Sequence, residues 1–283
     1  MNTHLPEPNN TAVRTALWRA LHVQIDPAPP IFNDTLGLQL IQPDKDWQTR
    51  PDMDKEFTKR VRVSIATRAR FVEDMVETYY QQGLNQYLIL GAGLDTFAQR
   101  HPERMSRLHV FEIDEPNTLT WKQQRLAELG YSSSDHLHYV AVDFEKESWW
   151  EALLAAGFVP DQPAVVCCTG LSLYLTREAN LQLLQQFGQL AKGSVCAMTF
   201  LLPMSEIEDA DKMLMEISMK GAERSGNPFQ SQFTHNEILQ LATEAGLQQA
   251  SIVSKADLLE RYFAHRTDHL EPASGEDVLV IKL

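Results

Sequence analysis

The chain has 283 residues, 43% of them hydrophobic and 8% aromatic, enough for one elaborated α/β domain with a sizeable core. Lys and Arg number 25 against 38 Asp and Glu, a net charge of -13, which disfavours a nucleic-acid partner because phosphate binding depends on clustered cations. No apolar stretch approaches the ~20 residues of a membrane span, and the opening MNTHLPEPNN lacks the basic and apolar regions of a secretory leader, so the expectation is a cytoplasmic protein with no membrane partner.

From the amino end, residues 11–23 set Val13, Leu17, Ala20 and Leu21 at helical spacing before Pro27, Pro29 and Pro30 break the pattern. Residues 56–80 predict a long amphipathic helix that stops before Gly83. Arg68 and Arg70 on that helix cannot share one stripe, since a two-residue step turns about 200°. One is expected to face a site and the other solvent. Residues 1–80 therefore read as a helical cap.

Strands and helices then alternate. Apolar runs at 87–90, 108–113, 138–142, 164–169 and 195–200 read as strands, and residues 121–129, 149–156 and 177–191 as helices. After Pro203 an acidic, Met-rich helix over 205–219 offers an apolar face that can reshape around varied ligands. It reads either as a lid or as a packing helix, within an insertion spanning 201–232. Thr234 with Glu237 forms a capping box for a helix running to Gly246, and the runs 248–253 and 278–283 close a carboxyl-terminal part, 233–283. The whole is expected to be one domain with a core at 86–200.

The first strand drops into Gly91-Ala92-Gly93, a turn where the missing Cβ atoms let a ligand lie against the backbone. Asp114, 21 residues past Gly93, closes the second strand and is placed to accept hydrogen bonds from ribose hydroxyls. Asp143 and Phe144 close the third, able to bond an adenine amino group and stack on its ring. In open α/β sheets this carboxyl edge is where ligands bind. A dinucleotide fingerprint needs a third Gly where Thr96 stands, and Asp95 would repel a diphosphate. S-adenosylmethionine has no phosphate and carries two positive groups, so it suits these acids better than NAD does.

The chain resembles the leucine carboxyl methyltransferase family of class I methyltransferases, in particular its bacterial O-methyltransferases of polyketide and secondary metabolism. Seven ordered pieces carry the resemblance: Thr11-Ala12-x3-Ala16-x2-Arg19-Ala20, Arg68-x-Arg70-Phe71-x2-Asp74, Leu90 to Thr96, Phe111-Glu112-x-Asp114-x-Pro116, Val142-Asp143-Phe144, Gly170-Leu171-x2-Tyr174-Leu175-Thr176, and Tyr262-Phe263-x2-Arg266. It implies a Rossmann-like sheet of seven strands whose last pair is antiparallel. It also implies that Arg68 pairs with the carboxylate of S-adenosylmethionine, that Gly91 and Gly93 line its methionyl part, and that Asp114, Asp143 and Phe144 hold its nucleoside. Thr169 stands beside the cofactor where eukaryotic members place a Glu. Those members also set an amino-terminal Lys against the cofactor carboxylate, with Arg14 and Arg19 the alternatives here.

Methyl transfer from a sulfonium is an in-line displacement helped chiefly by positioning and exclusion of water. A carboxylate acceptor, on a small molecule or a peptide, needs no general base, and Tyr174 and Arg266 are the residues expected to bind it, Arg266 by bidentate contact. A phenolic acceptor would call for a base, with His265 or His269 as candidates beside the Tyr262/Arg266 segment. An NAD-dependent oxidoreductase and a non-catalytic S-adenosylmethionine-binding protein are the other readings. Cys167, Cys168 and Cys196 read as buried thiols of a reducing compartment. The His136-x-His138 pair, without an accompanying carboxylate or Cys cluster, reads as a water-exposed strand entry and not as a metal site.

Overall fold

The computed structural model describes residues 8, 10–131, 134–144 and 148–283. The segment on which the leader expectation rests falls largely outside them. Three helices come first: α1 (Asn10–Ile25), α2 (Leu36–Ile41) and α3 (Lys59–Gln81). The sheet then runs β1 (Gln86–Leu90), α4 (Phe97–Arg100), β2 (His109–Asp114), α5 (Pro116–Glu128), β3 (Leu137–Ala141), α6 (Trp149–Ala155), β4 (Val165–Cys168), α7 (Arg177–Phe187), β5 (Val195–Leu201). Helices α8 (Asp209–Arg224) and α9 (His235–Glu244) lead to β6 (Gln249–Val253), α10 (Lys255–Phe263) and β7 (Glu276–Lys282).

The seven strands lie in the order β3-β2-β1-β4-β5-β7-β6. The pairs from β3 through β5 are parallel, whereas β7 pairs antiparallel to both β5 and β6. Between β1 and β4 the order reverses, which opens a crevice at the carboxyl ends of those strands. Continuous burial of β1, β4 and β5 explains why they read as unbroken apolar runs, with helices covering both faces of the sheet. One core layer holds Phe111, Trp149, Leu184 and Phe187, and the other holds Phe71, Val76, Tyr87 and Val110. Helix α1 crosses α3 through Leu17, Leu21 and Ile65, so the amino-terminal helices form a third, smaller core.

Local chemistry sets most boundaries. The capping box at Thr234 and Glu237 is present. A second one, Ser254 with Asp257, starts α10, an element with no expected counterpart in the sequence analysis. Helix α5 begins at Pro116, earlier than expected, because proline at the first helical position has its φ already set and needs no N–H partner. The Met-rich helix starts at Asp209, where Glu208 and Asp211 are drawn onto Arg60 of α3. Among the described residues no helix is long and apolar enough to cross a membrane. Burial pushes the Cys167 thiol up to about 12, as expected of an unreactive interior cysteine.

One expectation needs correcting. His136 and His138 are half-buried: His136 stacks on His109 at 4.1 Å between ring centroids, and His109 Nδ1 lies 3.2 Å from His138 Nε2. Among the described residues no cluster of three or more His, Cys, Asp or Glu is arranged to hold a metal.

Candidate functional site

The β1 turn shapes the site. Gly91 and Gly93 take φ of 70° and 50°, in the left-handed region, and a Cβ on Gly93 would stand 3.2 Å from that of Ala12 on α1. The turn and the first helix thus meet through the absence of a side chain. Arg19 of α1 fixes this arrangement, donating Nη2 to the Leu94 carbonyl at 2.7 Å and Nε to Asp34 Oδ2 at 2.7 Å. That engagement gives Arg19 a scaffolding role.

Asp114, at the end of β2, accepts the Gly93 amide at Oδ2 and the Glu115 amide at Oδ1, both at 2.7 Å. Burial pushes its carboxyl above the usual range and the two amides pull it back. The carboxylate is locked in place with lone pairs left over for hydroxyl donors. Glu112, two residues earlier on the same strand, is fully buried against Lys122 of α5, and burial pushes it up to about 7 against the pull of that ammonium. The pair ties β2 to the helix that follows it.

A cavity of about 220 Å³ lies over this edge. Arg68, Gly91, Gly93, Asp114, Asp143 and Phe144 all line it, and so do Thr169 and Tyr174. Residues scattered over about a hundred positions in sequence therefore share one wall. Arg68 faces this cavity while Arg70, one step along α3, pairs with Asp74 at the surface. Glycine makes the room: the Arg68 Nη2 atom is 3.0 Å from where a Cβ of Gly170 would sit. In this structure Arg68 Nη1 donates to both oxygens of Glu276, at 2.7 and 2.8 Å.

A second cavity, about 130 Å³, adjoins the first and shares Thr11, Thr15, Arg68, Gly170 and Tyr174 with it. Trp18, Leu173, Phe229 and Met215 give it an apolar wall, and Arg14 supplies a guanidinium. Met215 and Leu214 belong to α8, so the Met-rich helix covers this space. Sequence reasoning missed Thr15 and Trp18, and it named Arg14 only as an alternative partner for the cofactor carboxylate, not as part of this second wall. Positions 11, 14, 15 and 18 form one helical stripe, a signal overlooked beside the apolar stripe of Val13, Leu17 and Leu21.

Arg266 is a correction. It lines neither cavity. Its guanidinium donates to the carbonyls of Pro29 and Pro27 at 2.7 and 2.8 Å and pairs with Asp268, so it straps the proline loop that follows α1. Tyr262 is also structural: its hydroxyl donates to Asp74 Oδ2 at 2.8 Å, joining α10 to α3. Tyr262 and Arg266 of that motif, like the buried Phe263, serve packing, and His265 and His269 are exposed and line neither cavity.

The donor set fits S-adenosylmethionine. A guanidinium suits its carboxylate, the glycine turn admits its methionyl chain, and a fixed carboxylate with an aromatic ring suits a nucleoside. The leucine carboxyl methyltransferase profile matches residues 12–188. The chain belongs to the leucine carboxyl methyltransferase family. YktD of Bacillus subtilis, provisionally named an S-adenosyl-L-methionine-dependent methyltransferase, is 30% identical over 93% of this chain and 94% of its own. A Mycobacterium tuberculosis protein of the same provisional name is 32% identical over 200 residues, 67% of this chain and 65% of its own. Solved structures share the fold: a Thermobifida fusca protein with TM-score 0.60 and 17% identity, covering 98% of this chain and 95% of that one, and a Streptomyces avermitilis protein with TM-score 0.58 and 15% identity, covering 94% and 96%. This family member is an S-adenosylmethionine-dependent methyltransferase, and the NAD reading gives way.

Proposed function

We propose that this methyltransferase esterifies a carboxylate of a small organic acid or peptide. The supporting observation is the lining of the two joined cavities: guanidinium and hydroxyl groups reach the shared wall, and among the described residues no imidazole, thiol or ammonium does. An acceptor that is already ionised at neutral pH needs no proton removed, whereas a phenol does. Exposed His265 and His269 stand outside both cavities, so neither can serve a phenol as its base, and the Glu276 and Asp211 carboxylates of the second cavity are held by Arg68 and Arg60.

S-adenosylmethionine bound at the glycine edge would supply a methyl group on a positively charged sulfur. Arg68 would hold its carboxylate through the guanidinium nitrogens other than Nη1, which stays with Glu276. Asp114, Asp143 and Phe144 would fix the nucleoside, and Thr169 would lie beside it. Tyr174, on the wall common to both cavities, would place the acceptor. The carboxylate oxygen forms the new bond to the methyl carbon as the carbon–sulfur bond breaks, the electron pair stays on sulfur, and no proton moves. Residues of α1 and α8 then serve to exclude water and hold the oxygen within ~3–3.5 Å of the methyl. We place the reaction in the cytoplasm, a reading supported by three buried free thiols.

Incubation with S-adenosylmethionine labelled in its methyl group and a panel of carboxylic acids and phenols tests this. A labelled product that mild alkali hydrolyses to a volatile label is expected. Label stable to alkali would mean an ether and refute the carboxylate acceptor.

A further inference from the structure

Arg14 brings a half-buried guanidinium to the second cavity. Its Nε atom is enclosed and has no hydrogen-bond partner among the described residues. The other charged groups of that wall are already satisfied: Glu276 holds Arg68, and Asp211 holds Arg60 and accepts from the Ser274 hydroxyl and amide. A guanidinium keeps its charge and all five donors at any ordinary pH. Enclosing such a donor unpaired is unfavourable unless something completes it. Trp18, one turn on along α1, lies 5.4 Å from the guanidinium carbon, close enough to steady it by a cation–π contact. Arg14 lines this cavity and lies outside the wall that it shares with the cofactor cavity.

The rest of the wall states what kind of molecule carries that partner. Trp18, Leu173, Tyr174, Phe229, Leu214 and Met215 are apolar or aromatic, and Tyr174 and Phe229 meet edge to face at 5.5 Å. A protein cavity on the order of 150 Å³ holds one benzene ring, so about 130 Å³ admits a body of a single ring. We infer that Arg14 is the receptor for the acceptor's carboxylate, and that the acceptor is a monocarboxylate with a one-ring apolar body packed between α1 and α8. This inference rests on the carboxylate reading above and adds a residue and a size to it. Arg14 contacts one carboxylate oxygen and leaves the other to face the shared wall at Tyr174.

The test uses the full chain saturated with S-adenosylhomocysteine and two isosteric probes, 3-phenylpropanoate and 3-phenylpropanamide, followed by calorimetry. The parent protein should prefer the carboxylate by roughly tenfold, the size of a charge-assisted hydrogen bond. Arg14→Gln should abolish that preference while its melting temperature and affinity for S-adenosylhomocysteine stay those of the parent, and Arg14→Lys should retain part of it. A parent that binds neither probe, or an Arg14→Gln variant that keeps the full preference, overturns the inference. If labelled ester forms but Arg14→Gln leaves the preference intact, only the assignment of Arg14 fails. An alkali-stable product instead brings down the carboxylate reading itself.

Discussion

Replacing Lys122 with alanine is expected to lower the free energy of unfolding by about 3–5 kcal/mol at pH 7. Lys122 and Glu112 are both fully buried, and the Glu112 Oε1 atom has no hydrogen-bond partner among the described residues, so the ammonium is what compensates the charge. Removing it leaves a carboxylate in the core that must take up a proton to stay there. The sign of the pH dependence follows. Burial raises the folded carboxyl above its ordinary value of 4.5, to about 7 in the parent, and loss of the cation raises it further. Stability from such a group is present in full below 4.5 and is lost as pH rises through the folded value. The gap between parent and variant should therefore narrow as pH falls from 7 toward 5. Urea unfolding of parent, Lys122→Ala and the double variant Glu112→Gln, Lys122→Met at both pH values measures this, with the double variant expected to recover much of the loss. A gap below about 1 kcal/mol at pH 7, the worth of a surface pair, would contradict the buried geometry.

Asp114→Ala is expected to weaken binding of S-adenosylhomocysteine roughly ten- to a hundredfold, since hydrogen bonds to a charged acceptor contribute about 1.5–3 kcal/mol. Two effects act together. The ribose would lose its acceptor, and the amides of Gly93 and Glu115 lose the oxygens that hold the turn in shape. The fold should tolerate the change better than that of Lys122, because Asp114 stands at the rim of the cavity and not inside the core. Isothermal titration at constant ionic strength, with the melting temperature as a check on folding, gives the ratio. An affinity within twofold of the parent would remove Asp114 from the site.

What was legible in the sequence was what a single strand announces. The apolar runs ending in Gly91, Asp114 and Asp143 name their own edge of the sheet, because a buried parallel strand is apolar along its length and polar only where it emerges. Helical geometry told Arg68 and Arg70 apart in kind, the family resemblance named Arg68 as the one beside the cofactor, and the structure sets Arg68 on the cavity wall with Arg70 paired at the surface. Arg266 shows the limit. A guanidinium beside an aromatic residue has the chemistry of a carboxylate receptor, but whether it meets a ligand or a pair of proline carbonyls depends on where a chain segment more than 230 residues away comes to lie. Arg14 is the converse. It lies on the polar side of an amphipathic helix, where a charge is ordinarily solvated, and only the closure of α8 and the 229 region over it makes a cavity of that side.

The most direct test of the account is calorimetric titration of the parent protein with S-adenosylhomocysteine and, separately, with NADH, repeated on Asp114→Ala. One saturable site for S-adenosylhomocysteine, weakened at least tenfold by the substitution, is expected, with no saturable binding of NADH. Tight NADH binding, or S-adenosylhomocysteine binding that Asp114→Ala leaves unchanged, would contradict a methyl-donor site at the glycine edge of the sheet.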